Sequence, residues 1–143
     1  MLMIDNNGYV DDVHGINLID PNETPMDDHG HGTHVAGIIA MENNNVGGVG
    51  IAYKSKIMPI KAGGSDGTFN STDIAKGIEY AYKNGADVIN MSFGSYAHSA
   101  LIENALQDAF NSCVLVAVAG NYGIPTADCP LGGQIRILHH ILM

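Results

Sequence analysis

The sequence predicts an α/β domain: a mostly parallel sheet between two layers of helices, a three-layer sandwich. Two observations carry that prediction. The runs Asp87-Val-Ile-Asn-Met-Ser92 and Cys113-Val-Leu-Val-Ala-Val-Ala119 are apolar enough for strands buried on both faces, and helical patterns alternate with them. The composition, 45% hydrophobic and 15% charged over 143 residues, belongs to a globular chain of at most one domain.

Residues 5–33 are dense in Gly, Asn, Asp and Pro and are expected to be loop. The segment 34–41 is expected to be helical or buried, ended by Asn43-Asn44-Asn45. Ile57-Met58-Pro59-Ile60 suits a short strand, which Pro59 confines to an edge or a strand end. Ser71 is placed to cap a helix whose apolar face is Ile74, Ala75, Ile78, Ala81 and Tyr82, with Gly85 as its stop. A strand over residues 87–92 follows, then a helix with Ile102, Ala105, Leu106, Ala109 and Phe110 inward, then the strand over 113–119. Residues 124–143 show no period and form a divergent tail, and neither repeat nor linker interrupts the chain.

Fifteen acidic against six basic side chains give a net charge of −9 and a pI near 4.9. A field of that sign repels nucleic acid and anionic membrane, so neither is expected as a partner. No apolar run approaches the ~20 residues of a membrane helix. Residues 1–4 are apolar but lack the basic region and cleavage site of a signal peptide. Cys113 and Cys129 are too few for a disulfide framework.

Chemistry concentrates in Asp27-Asp28-His29-Gly30-His31-Gly32-Thr33-His34-Val35-Ala36-Gly37. Three His so close suggest a metal, yet the paired-His-around-Glu spacing of a zinc helix does not occur. Gly30 and Gly32 let backbone approach His31 closely. At a helix N-terminus, His31 would meet the positive end of the dipole, which favours the neutral imidazole of a general base. Ser92-Phe93-Gly94 and Gly120-Asn121 each follow an apolar strand, where open α/β sheets place ligands. Taken singly, Ser92 also fits a strand-end hydroxyl, and Gly120-Asn121 a turn.

Together the blocks His31-Gly-Thr-His-Val-Ala-Gly37, Asn90-Met-Ser-Phe-Gly94 and Ala117-Val-Ala-Gly-Asn121 resemble the subtilisin-like serine proteases, the subtilases. The resemblance runs from about Gly8 to Gly123 and includes Val49-Gly-Ile-Ala52 and Ala86-Asp-Val-Ile-Asn90. It implies a serine endopeptidase acting by acyl transfer on extended peptide or protein substrates. His31 resembles the triad's general base and Asn121 the side-chain oxyanion donor. Ser92, Phe93 and Gly94 resemble the segment that pairs with substrate main chain, Gly67 falls in the opposing segment, and His34 is expected to pack structurally.

The resemblance also implies what this sequence does not contain. Family nucleophiles sit in a Gly-Thr-Ser-Met-Ala block downstream of the oxyanion Asn, and no such block occurs. Met3-Ile4-Asp5 imitates the strand that carries the catalytic Asp, but Asn6 follows where Ser or Thr is usual. The expectation is a subtilisin-like fold incomplete at both ends, residues 1–123 being part of a catalytic domain, and a chain inactive by itself. Secretion is usual in the family, but no export signal is read here.

Calcium is the one cofactor expected, as a structural ion. With Gly8 at the sixth position of an EF-hand-like loop, Asp5, Asn7, the Tyr9 carbonyl and Asp11 fall at the third, fifth, seventh and ninth, while Met3 and His14 fill the first and twelfth. The loop Glu42–Gly48 resembles a subtilase calcium loop in which Asn44 gives a side-chain oxygen. The alternative function is therefore a catalytically inactive peptide- or calcium-binding fragment.

Overall fold

A computed structural model describes residues 14–95 and 97–118. The chain divides after Asp73 into two compact units, each taken by itself.

The first unit holds two short parallel strands and one helix. β1 (Ile16–Asn17) pairs with β2 (Ile60–Lys61) in the register Ile16 to Ile60 and Asn17 to Lys61. Flanking bonds run from Ile16 N to Pro59 O at 3.0 Å and from Leu18 N to Lys61 O at 2.9 Å. Pro59 therefore ends the strand segment as an acceptor, a role that needs no N–H. β1 corrects the expectation of loop throughout residues 5–33; two residues are too few to show a period. Asn17 is buried, and its carboxamide is occupied. Oδ1 accepts from the N–H of Ile19 (3.0 Å) and Asp20 (2.9 Å), and Nδ2 donates to Thr24 O at 3.3 Å. One polar side chain thus folds the turn after β1.

α1 (His31–Ala40) follows the His-rich loop. The orphan carbonyls at its C-terminal end are met by a later strand of loop. Gly50 N donates to Met41 O (2.9 Å), Ile51 N to Ile38 O (3.1 Å) and Ala52 N to Ile39 O (2.7 Å). That approach requires glycine at 50, since a Cβ there would lie 2.4 Å from Met41 N. Residues 34–40 are helical as expected, with Met41 just past the helix, but no residue of α1 is buried, and Ile38 stays 54% exposed.

The second unit alternates helix and strand. α2 (Ser71–Lys83) is capped by Asn70 and not by Ser71, with Asp73 N donating to Asn70 Oδ1 at 2.9 Å. Asn70 Nδ2 donates back to Asp73 Oδ2. Bonds from Gly85 N to Tyr82 O (3.4 Å) and Ala86 N to Ala81 O (3.0 Å) close its end as a Schellman motif. β3 (Val88–Met91) leads to α3 (Ala100–Ala109), whose Ser99 cap accepts from Ile102 N at 3.5 Å. β4 (Val114–Ala117) then pairs parallel with β3, from Val88 opposite Val114 to Met91 opposite Ala117.

The core of this unit is Ile74, Ile78, Tyr80, Ala81, Ile89, Met91, Leu106 and Ala109. Tyr80 replaces the expected Ala75 and Tyr82 as a fully inward residue of α2, and Phe110 lies past α3, 73% exposed. The strands also depart from the expectation of burial on both faces. Ile89 and Met91 are closed in, whereas Val88, Val114 and Val116 on the opposite face are 42–60% exposed. The apolar pattern records two covers; the described residues of this unit supply one. No described helix is long and apolar enough to cross a membrane.

Candidate active site

The His-rich loop is built around one carboxylate. Asp27 Oδ1 accepts from the N–H of His29 at 3.0 Å and of Gly30 at 2.8 Å. Asp27 Oδ2 accepts from the N–H of Thr33 at 2.7 Å and from its hydroxyl at 2.6 Å. Gly30, the residue before α1, lies in the left-handed region at φ 93° and has no side chain to cap the helix. Asp27 takes over that task for the third helical N–H, an interaction worth about 1 kcal/mol at ordinary caps. The Thr33 hydroxyl and amide, with the two loop amides, hold its carboxyl well below the usual carboxylate range.

His31 is the first residue of α1, as the sequence predicts, and it is exposed. His29 stands beside it, the rings edge to face with centroids 6.4 Å apart. His34 is exposed too, which corrects the expectation that it packs in a core.

Gly67 lies in a tight loop that leaves β2. Gly64 N donates to Thr68 O at 3.0 Å, Gly67 N donates to Gly64 O at 2.9 Å, and Gly63 and Phe69 form an antiparallel bridge. Asp66 Oδ1 accepts from Thr68 N (3.0 Å) and Oγ1 (2.7 Å), which lowers its carboxyl, with the nearby His29 adding to the effect. At Gly67, φ is +75°, and a Cβ would stand 2.9 Å from His29 Nε2. The His loop and the Gly67 loop therefore touch. A second tie comes from β2 itself, where Lys61 Nζ pairs with the Asp28 carboxylate. Asp27, Lys61 and the contact of His29 with Gly67 had no role in the sequence reading. Of these only Asp27 left a signal, a carboxylate a few residues before a helix whose cap position is glycine.

Ser92, Phe93 and Gly94 follow the carboxyl end of β3, and the Ser92 hydroxyl accepts from Asn90 Nδ2 at 3.1 Å. Ser92 and Phe93 are half-buried and Gly94 is exposed. Asn44 Oδ1 accepts from Val46 N at 3.0 Å, so the side chain organises its own loop with one lone pair left over. Among the described residues no group of three His, Cys, Asp or Glu is arranged to hold a metal. Asn121, Asp5, Asn7 and Asp11 lie outside the described residues.

His31 thus stands at a helix start behind a loop that wraps the Asp27 carboxylate and touches the Gly67 loop through His29. The chain belongs to the subtilase family, whose model matches residues 2–134. It is 43% identical over 120 residues to a thermophilic serine proteinase of Bacillus sp. (strain AK1), covering 82% of this chain and 30% of that protein. It is 39% identical over 117 residues to subtilisin BL of Lederbergia lenta, covering 81% and 44%. With subtilisin-like protease 1 of Plasmodium falciparum (isolate 3D7) it shares 37% over 128 residues, covering 88% and 19%. The chain thus spans less than half the length of these relatives. The short parallel strands and alternating helices fit the α/β fold of subtilisin type.

Proposed function

We propose that this chain carries the base and substrate-binding parts of a serine endopeptidase that cleaves peptide bonds by acyl transfer. His31 is the general base, taking the proton from the attacking hydroxyl and returning it to the leaving amine. Asn121 donates its amide N–H to the developing oxyanion, a role that in a subtilisin lowers the barrier by ~3 kcal/mol. Ser92, Phe93 and Gly94 act as a substrate segment, as does Gly67 in its own unit, each pairing with peptide main chain, which tolerates many sequences. The observation that carries the reading is His31 at the first position of α1, with the loop before it seated against Gly67 through His29. Family membership supports the reaction class.

The sequence contains no Gly-Thr-Ser-Met-Ala block, and this favours a second reading of the chain taken alone, as an inactive peptide- or calcium-binding unit. Asp5, Asn7 and Asp11 in the Gly8 loop, and separately Asn44 in the loop Glu42–Gly48, would be oxygen ligands of structural calcium. Hydrolysis of a chromogenic peptide separates the readings. Turnover by the protein expressed from its whole reading frame, blocked by a serine-directed fluorophosphonate, supports the first. Equal turnover by residues 1–143 alone would remove the second, and no turnover by either would remove the first.

A further inference from the structure

We propose that Asp27 is the positioning residue that sets where His31 stands, an inference that rests on His31 being the general base. Its two carboxylate oxygens accept from both sides of that residue, from the His29 and Gly30 amides before it and from the Thr33 amide and hydroxyl after it. Gly32 runs alongside, where a Cβ would be in ordinary contact 3.6 Å from Asp27 Oδ2. The backbone from 29 to 33 is thus moulded on one side chain, with His31 at its middle. Nothing local replaces it. Gly30 has no side chain to cap α1, and its left-handed φ of 93° lies in a region only glycine enters freely. None of the four bonds goes to an imidazole, so Asp27 acts on the base through the backbone and not by proton exchange. An amide in place of the carboxylate presents an NH₂ to one pair of donors. Turned to the loop, it loses both the His29 and Gly30 amide bonds; turned to Thr33, it loses the Thr33 amide bond while the hydroxyl can rotate to accept. Displacing a catalytic group by about 1 Å costs up to about 100-fold in rate.

The test is Asp27→Asn in the protein expressed from its whole reading frame. It compares kcat, KM and the number of active sites counted from the acyl-enzyme burst. The expected result is a roughly tenfold to hundredfold loss of kcat per titrated site, with KM within about twofold of wild type. A wild-type kcat per titrated site, even with fewer sites, would overturn the proposal and leave Asp27 a folding residue. His31→Ala, run in parallel, judges the underlying reading separately: retained turnover there would remove the general base. In that case amide exchange at His29, Gly30 and Thr33 decides for Asp27. Faster exchange at Thr33, or at His29 and Gly30, in Asp27→Asn supports the clamp, and wild-type protection at all three contradicts it.

Discussion

The imidazole of His29 lies against the α-carbon of Gly67, so close that a Cβ on Gly67 would stand 2.9 Å from Nε2. This contact joins the loop before α1 to the loop after β2, and the Lys61–Asp28 pair fastens the same two segments a few residues away. The proposed base and the proposed substrate segment are therefore one mechanical unit.

Gly67→Ala follows from that contact. The new methyl group meets the imidazole, and φ of +75° is strained for alanine. The expected loss is about 1–3 kcal/mol, read from a denaturant midpoint. KM for a peptide substrate should rise with it, because the loop that yields is the one proposed to hold substrate.

Gly50→Ala tests the closure of α1. Its Cβ would lie 2.4 Å from Met41 N and 2.6 Å from Ala40 N, both backbone atoms, so the amides that serve Ile38, Ile39 and Met41 must withdraw. Destabilisation of at least about 1–3 kcal/mol is expected, again by denaturant titration. A midpoint unchanged from wild type would contradict the packing described.

Asp27 gives stability a defined pH dependence. Its folded carboxyl is held well below the ordinary value of 3.8, so the native state favours the ionised form. The contribution is fully present above the unfolded value and is lost as pH falls from about 4 toward the folded one. Melting temperatures of wild type and Asp27→Asn should differ by a constant amount above about pH 5, with the difference narrowing steadily as pH falls below about 4. A gap that did not shrink between about pH 5 and about pH 2 would contradict this origin.

Calcium gives a fourth outcome. If the Asn44 loop or the acidic Gly8 loop binds a structural ion, millimolar calcium raises the melting temperature and a chelator lowers it. Asn44→Ala should shrink the shift. Identical melting with calcium and with chelator would remove the ion from the account.

The sequence was most legible where pattern and packing agree. α2, β3, α3 and β4 each fall within a residue or two of where periodicity and capping residues put them, because each buries one face in its own unit. Ser71 was the nearest capping hydroxyl, yet Asn70 caps α2 because its carboxamide also accepts from Asp73 N and donates to Asp73 Oδ2. β1 was hidden because two residues carry no period. The position of His31 was readable from its flanking glycines. What holds it was not: the Asp27 bonds, the Lys61 pair and the Gly67 contact are settled by the path of the backbone, and side-chain identity alone does not announce them.

The central claim is that His31 is the base of a peptide-bond hydrolase. The most direct measurement is kcat/KM for a chromogenic peptide with wild type and His31→Ala, both expressed from the whole reading frame and both shown folded by circular dichroism. The account predicts turnover in wild type and a loss of several orders of magnitude in the variant, as removal of the base causes in a subtilisin. Turnover by folded His31→Ala at the wild-type rate would contradict it.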